Sequence, residues 1–241
     1  MNLFRPRHND GDVLDIEGLR VRLKINRRAR RVSLRIDSAR GEAVAVAPTQ
    51  RRLSEAAAFA RERSGWARER LAAGPTHRPF KPDGRAPLRG RLVRLVAAGN
   101  ASAARLVEEP EGPVIVSGGE GEAFARRVEN LMRREALKDL TERTAVHARA
   151  LGLKVPKVGI GDPRSRWGSC TPGRGSIRYS WRLILAPPQV LDYVAAHEVA
   201  HLVHADHSPR FWNVVKQLIG PRMEGRAWLK AHGSELHAVG R

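Results

Sequence analysis

The sequence predicts an α+β protein, with a basic and mainly antiparallel β region with helices over residues 1–118 and a second domain over residues 119–241. Apolar residues alternate with basic ones over residues 19–48, which is typical of strands with one solvated face. A long helix is predicted from about residue 120 to 151, and a shorter one begins at Pro188. Strands followed by helices in this way indicate the α+β class.

The N-terminal elements follow from local sequence patterns. An Ala-, Glu- and Arg-rich stretch predicts a helix over residues 53–71, with Phe59 and Trp66 as its buried candidates. The Gly- and Pro-containing stretch 74–90 is predicted to be a loop, and no internal repeat is apparent. Strands are expected at residues 21–25, 32–36, 44–46, 91–96, 104–107 and 113–116.

The C-terminal elements centre on a pair of helices. Strand-like segments at 158–160 and 176–180 come first. Pro188 is well placed to start a helix, and apolar residues in the following turns can bury one of its faces. Ser208 and Pro209 favour the start of another helix, because Ser is a good N-cap and Pro is a good first helical residue. That helix is expected to run to Ile219.

The first of these helices carries a metal-binding pattern, His-Glu-x-x-His. Residues four apart share a helix face, so His197 and His201 can present two imidazole nitrogens to one metal ion. Glu198 is then placed to hold and deprotonate a metal-bound water. This pattern indicates a zinc hydrolase, and the alternative is a pair of surface histidines on an amphipathic helix. The predicted helix favours the metal site.

A catalytic zinc ion usually has three protein ligands, so a third one is required. His204 lies roughly 10 Å along a straight helix from His197, too far for one tetrahedral centre. His207 precedes the bend into the next helix and is our predicted third ligand. His204 is then a partly buried polar residue or a substrate contact. A downstream carboxylate, Glu224 or Glu235, is the alternative ligand.

Composition limits the class of protein. The 241 residues are 41% hydrophobic, which is sufficient for a buried core. The first ten residues lack an apolar core of signal-peptide length, and no apolar run approaches the ~18 residues of a membrane span. Cys170, the one cysteine, excludes an intramolecular disulfide and a cysteine-rich zinc site. We therefore expect a cytoplasmic protein without a membrane partner.

The net charge of +19 is unevenly distributed. The first hundred residues contain 23 Lys and Arg against 10 Asp and Glu. Such a field attracts polyanions, so nucleic acid or a nucleotide is a candidate partner of the N-terminal half. The alternative is a basic composition without a specific ligand, since no nucleic-acid motif gathers these charges.

The sequence resembles the YgjP-like family of zincin metal-dependent hydrolases, which is related to the SprT-like and WLM metalloproteases. The similarity spans most of the chain and is most specific in its last third. Val199 and Asp206 depart from the family pattern without removing a ligand. The matching segments are Arg166-Trp167-Gly168-Ser169-Cys170, Tyr193-Val194, His197 to Leu202, His207-Ser208, Phe211-Trp212, the arginine-rich stretch 27–31 with the strand after it, and Trp66.

The resemblance implies a small gluzincin-like zincin domain over residues 119–241, with the site formed by His197, His201, His207 and Glu198. Peptide or protein substrates follow from the same resemblance. The leading hypothesis is therefore zinc-dependent peptide hydrolysis, in which Glu198 accepts a proton from water and passes it to the leaving amine.

Three points stay open at the level of sequence. Arg166, Arg210 and His204 are candidate donors for the transition-state charge, and the sequence does not rank them. A nucleotide phosphohydrolase is one alternative function, although the chain lacks a Walker-type loop and an obvious carboxylate cluster for magnesium. A polyanion-binding module with a structural metal site is the other.

Overall fold

The fold is mixed α and β, as the sequence predicts. The chain forms two compact units, Met1–Thr76 and His77–Arg241. Within the described residues, no helix has the length and apolar composition required to cross a membrane. The computed structural model describes residues 8–37, 40–72, 78–100, 102–220 and 224–240.

The first unit is a four-stranded sheet covered by helices. The sheet order is β1-β2-β4-β3; β2 and β4 are parallel, and the two outer pairs are antiparallel. The helix predicted over residues 53–71 is instead two helices, because the chain breaks at Arg63. Phe59 is half-buried and Trp66 is 40% exposed, so the prediction that Trp66 is buried was wrong. The elements are β1 (Val13–Ile16), β2 (Leu19–Ile25), β3 (Ser33–Asp37), β4 (Glu42–Ala47), α1 (Leu53–Glu62) and α2 (Ser64–Ala72).

The second unit begins with a sheet of the same topology, in the order β5-β6-β8-β7. Both sheets start with a hairpin whose turn has two residues of positive φ, Glu17-Gly18 in one and Arg89-Gly90 in the other. The chain therefore contains a structural repeat that the sequence analysis missed. Part of the predicted loop 74–90 is strand β5, and residues 74–77 lie outside the described residues. The strands are β5 (Arg85–Leu88), β6 (Arg91–Ala97), β7 (Arg105–Glu109) and β8 (Gly112–Ser117).

The rest of the second unit holds the metal-binding pattern. The predicted long helix and the two shorter helices are present, whereas strand β10 and helix α6 were not predicted. The small sheet has the order β10-β11-β9, which places β10 at an edge. The elements are α3 (Gly121–Ala150), β9 (Lys157–Gly161), β10 (Gly168–Thr171), β11 (Ser176–Ser180), a 3-10 helix (Trp181–Leu185), α4 (Pro188–Ala200), α5 (Pro209–Ile219) and α6 (Glu224–Ala238).

One hydrophobic core extends through the second unit. It joins Leu95 and Ile115 of the β5–β8 sheet to Phe124 and Met132 of α3 and to Val194 of α4. The predicted boundary at 118/119 therefore lies inside this unit. A separate N-terminal domain ending at 118 would divide this core and expose the apolar face of the sheet.

A buried arginine connects α6 to the centre of the second unit. Arg182 is 1% exposed and donates to both carboxylate oxygens of Asp162, at 2.7 and 3.1 Å. Its Nη1 donates to the carbonyls of Leu236 and Val239 at 2.9 and 2.6 Å. Its guanidinium also lies 4.6 Å from the centre of the Trp181 ring. All of these interactions depend on one side chain.

We expect Arg182→Met to lower the free energy of unfolding by about 3–5 kcal/mol. The thioether cannot donate, so the Asp162 carboxylate and two main-chain carbonyls lose a donor in a poorly solvated place. Urea unfolding measures the loss. Arg174→Met is the matched control, since Arg174 is exposed, and its effect should stay within about 0.5 kcal/mol. Equal effects of the two changes would contradict this account.

Candidate metal centre

Helix α4 carries His197, has His201 as its C-cap and is buried on nearly all sides. It packs against α3, α5, α6 and β10. Pro188 occupies its first turn, as predicted, and the helix ends at Ala200. The chain then turns over residues 201–203, where the amide of His204 still donates to the carbonyl of Ala200 at 3.0 Å. The straight helix assumed for His204 is therefore wrong, because α4 ends before His201.

The turn returns the chain so that His197, His201 and His207 face one another. One potential ligand atom from each residue lies within 4.8 Å of those of the other two. The Nε2 atoms of His197 and His207 are 3.2 Å apart. His201 meets both other rings edge-on, with centroid distances of 5.0 and 4.8 Å. Among the described residues, these three form the cluster with metal-ligand geometry, and the predicted ligands are the ones brought together.

The alternative ligands lie elsewhere. The backbone carbonyl of His204 accepts a hydrogen bond from Nδ1 of His201 at 3.0 Å, while its imidazole is outside the cluster. Glu224 begins α6, and Glu235 lies 3.4 Å from His232 on the same helix. Neither carboxylate belongs to the cluster.

The chemistry of the three imidazoles suits a metal ion. His201 uses Nδ1 for the His204 carbonyl, which leaves Nε2 as its ligand atom. Nδ1 of His197 is buried and has no hydrogen-bond partner among the described residues. Burial, with His201 and His207 nearby, lowers the pKa of His197 to about 4, and burial lowers the pKa of His201 as well. Both rings are therefore neutral at neutral pH, which is the form that binds metal.

Two aromatic side chains of helix α5 pack against the histidines. The Phe211 ring contacts His197, His201 and His207 at centroid distances of 4.9, 4.5 and 4.8 Å. Trp212 lies 5.8 Å from His197 and 5.9 Å from His207. The family departure at Asp206 has a local role, since its carboxylate accepts from the Ser208 amide at 3.3 Å and closes the turn that carries His207.

Among the residues that the structure describes, Glu198 is the one buried carboxylate beside these histidines. It is 6% exposed, and the backbone amide of Cys170 in β10 donates to it. Burial raises its pKa to about 7, against the charge of Arg166 and the Cys170 amide, which both lower it. A carboxylate that titrates near neutrality is suited to accept and return a proton. Burial also raises the pKa of the Cys170 thiol to about 11, which argues against a thiolate nucleophile.

The pKa of Glu198 predicts how pH affects the metal-free protein. The folded state retains a proton that the unfolded state releases between pH 4.5 and about 7. Stability from this group is present below pH 4.5 and is lost as the pH rises through about 7. We therefore expect Glu198→Gln to gain about 3 kcal/mol of unfolding free energy relative to wild type across this range.

Urea unfolding of both proteins after chelation measures this gain. His197 titrates in both proteins and cancels in the comparison. If the difference in unfolding free energy between wild type and Glu198→Gln does not change with pH, the raised pKa of Glu198 is contradicted.

A cavity of about 390 Å³ opens beside His197 and Glu198. Of the three donors considered from sequence, Arg166 lines it, whereas Arg210 and His204 do not. The wall supplied by α6 was not predicted from the sequence, because that helix itself was not predicted. The lining residues are Arg166, Trp167, Gly168, Tyr193, Val194, His197, Glu198, Arg226, Leu229 and Lys230.

Gly168 allows β10 to approach Glu198 closely. A Cβ at this position would lie 2.5 Å from Oε1 and 2.6 Å from Cγ of Glu198. We expect Gly168→Ala to displace the carboxylate and to lower any activity that depends on Glu198 by about 10²-fold, with metal content unchanged. Gly173→Ala is the matched control, because nothing lies within 4 Å of its Cβ position. Assays of hydrolysis and metal content on both variants test this, and full activity of Gly168→Ala would contradict it.

Three converging histidines and a buried glutamate are features of a metal-dependent hydrolase. The family model described as "YgjP-like, metallopeptidase domain" matches residues 30–232, more than half of the chain. The protein belongs to the YgjP-like family, which confirms the resemblance found in the sequence and supports a metallopeptidase-type function with a metal ion.

Beyond the family match, the chain has limited similarity to individual proteins. No curated protein matches the chain. Among solved structures, the crystal structure of the metallopeptidase zymogen of Pyrococcus abyssi abylysin is similar, with 21% sequence identity and a TM-score of 0.36. The similarity covers 40% of this chain and 94% of that one.

Proposed function

We propose that this protein is a zinc-dependent peptidase in which Glu198 is the general base and acid. The observation that carries the proposal is the convergence of His197, His201 and His207 next to a buried carboxylate. Three nitrogen ligands with an open position are the usual donor set of a catalytic zinc site. The YgjP-like metallopeptidase match supports the same conclusion. We further propose that the surrounding domain is a small zincin.

The residues of the site divide the work. His197, His201 and His207 would hold zinc, which when bound polarises the scissile carbonyl and makes water more acidic. Glu198 orients the attacking water, accepts its proton and delivers that proton to the leaving amine nitrogen. Its pKa of about 7 in the metal-free chain is well matched to both transfers. Arg166, which lines the cavity, is placed to stabilise developing negative charge.

Strand β10 offers a place for an extended peptide. It is an edge strand, and its residues Gly168 and Cys170 lie against Glu198. A peptide can add to such an edge through backbone hydrogen bonds. The scissile bond would then lie beside Glu198 and the three histidines.

The bond that is cleaved can be tested directly. Purified zinc-loaded protein is incubated with casein and, separately, with nucleoside triphosphates, and Glu198→Gln is assayed in parallel. We expect wild type to produce peptide fragments and the variant to produce none. Release of phosphate or pyrophosphate that is lost in Glu198→Gln, with casein intact, would instead favour a nucleotide phosphohydrolase.

A groove in the first unit supports polyanion binding as a second function. It is lined by β3 and by residues of the two helices, and the guanidinium of Arg63 lies 5.8 Å from the centre of the Phe59 ring. Trp66 adds an exposed aromatic surface, and Arg31 adds another cation. Aromatic rings between arginines are suited to single-stranded nucleic acid.

Salt dependence tests this binding. We expect affinity for oligonucleotides to fall steeply as salt is added, by release of counterions. Binding that is absent, or that does not respond to salt, would exclude nucleic acid as the partner.

A further inference from the structure

Helix α6 brings two cations to the cavity that His197 and Glu198 also line. Arg226, Leu229 and Lys230 share one face of the helix, because residues three and four apart are neighbours. Two glycines of α6 allow the close approach. A Cβ at Gly225 would lie 2.6 Å from Cβ of Tyr193, and one at Gly233 would lie 2.9 Å from Cζ2 of Trp167.

The cavity is strongly positive. Arg166, Arg226 and Lys230 line it, and Glu198 is the one acidic residue among its lining residues. Arg226 is held over the Trp212 ring at 5.4 Å, and Trp212 in turn contacts His197 and His207. Among the described residues, no carboxylate forms an ion pair with any of the three cations. Arg166 also acts on the Glu198 carboxylate, so Arg226 and Lys230 are the two cations whose field is available to a ligand.

We propose that this cavity is a subsite for a carboxylate of the substrate, and that Arg226 and Lys230 give the enzyme a preference for acidic peptides. The inference rests on the proposed peptidase function and specifies its substrate class. The apolar walls, formed by Trp167, Tyr193, Val194 and Leu229, suit the hydrocarbon part of a side chain. The guanidinium and ammonium groups suit its charged end, because charge-assisted hydrogen bonds to carboxylates are strong.

A carboxylate at this position has two sources, an acidic side chain or the free C-terminus of a peptide. A basic side chain is excluded, because three cations would repel it without a compensating acid other than Glu198. The subsite thus separates substrates by charge close to the reacting bond.

Binding to the zinc-loaded Glu198→Gln protein tests the subsite without requiring hydrolysis. The probes are blocked alanine hexapeptides in which one position in turn is Glu, Gln or Lys, together with an all-alanine peptide with a free C-terminus. Calorimetry measures each dissociation constant. We expect at least about tenfold tighter binding for the best Glu peptide than for its Gln counterpart, and weaker binding still for Lys.

Charge reversal identifies the residues responsible. When Arg226→Glu and Lys230→Glu are both introduced into the Glu198→Gln protein, the preference for the Glu peptide should be lost. The Lys peptide should then bind more tightly than the Glu peptide. The milder pair Arg226→Gln and Lys230→Gln should abolish the preference without reversing it. Lys216→Glu is the control, because Lys216 is exposed on α5 outside the cavity, and it should keep the wild-type preference. Zinc content and circular dichroism verify that each variant is folded.

The outcomes separate the subsite from the peptidase proposal. Tighter binding of a blocked Glu peptide than of the all-alanine peptide assigns the subsite to an acidic side chain. Binding of the all-alanine peptide with a free C-terminus that is as tight as that of the best Glu peptide assigns the subsite to a terminal carboxylate. Charge-dependent binding without any hydrolysis by wild type keeps the subsite and rejects the peptidase. Hydrolysis with equal binding of Glu, Gln and Lys peptides rejects the subsite alone. Tighter binding of tripolyphosphate than of every peptide also overturns the carboxylate assignment.

Discussion

Replacement of Glu198 by Gln should lower peptide hydrolysis by at least about 10³-fold while the protein keeps its zinc. The amide occupies nearly the same volume as the carboxylate, so the packing against β10 is retained. It cannot accept a proton from water or return one to the leaving nitrogen. The three histidines are unchanged, so the loss falls on catalysis rather than on metal binding. Measured rates on casein, with metal content of the same preparations, separate these two effects.

Glu235→Gln is the matched control for this experiment. Glu235 is exposed on α6, outside both the cluster of histidines and the cavity, and it was an alternative ligand from sequence. Its replacement should change neither rate nor zinc content. Full activity of Glu198→Gln would exclude the proposed mechanism. Loss of zinc from Glu235→Gln would instead indicate that Glu235 is a metal ligand.

The helices around the metal centre could be predicted because their ends carry local signals. Proline in the first turn marks the starts of both α4 and α5, at Pro188 and Pro209. The predicted end of the second helix, Ile219, is also observed, where Gly220 follows with a positive φ. The i,i+4 spacing was then sufficient to identify His197, Glu198 and His201 as candidates.

Other features depend on tertiary packing and have no local signal. Strand β10 has four residues and contains Gly168. Glycine is favoured there because it leaves room for the Glu198 side chain of helix α4. Helix α6 has glycines at 225 and 233, which lower helix propensity, and these become favourable only against Tyr193 and Trp167. The cationic wall of the cavity was missed for the same reason.

The repeated sheet could not be recognised from the sequence, because two sheets can share a topology while most of their residues differ. Both copies keep a hairpin turn with positive φ and a central parallel pair, and few identities are needed for that. In the first hairpin of each sheet, the shared residues are Gly18, Val21, Arg22 and Leu23 in one copy and Gly90, Val93, Arg94 and Leu95 in the other. The second copy is joined to α3 and α4 by a common core, so the compact unit starts well before residue 119.

Substitution of the proposed metal ligands should have a large effect on zinc binding. Isolated protein should contain about one zinc ion per chain. His197→Ala and His201→Ala should each lose it, because these two ligands are fixed at the end of helix α4. His207→Ala should weaken binding by at least about 10²-fold, beyond the effect of an outer-shell change. Metal analysis after dialysis, with zinc titration of the depleted proteins, measures all of these effects.

His204→Ala is the decisive control, because the interaction that His204 makes with the site comes from its backbone. The carbonyl that accepts from Nδ1 of His201 remains after the substitution, so the ring of His201 stays oriented and zinc should be retained. Retention of zinc in His207→Ala together with its loss in His204→Ala would overturn the ligand assignment. A wild-type protein that contains no zinc and gains no activity when zinc is added would remove the enzyme proposal, because Glu198 would then have no activated water to deprotonate.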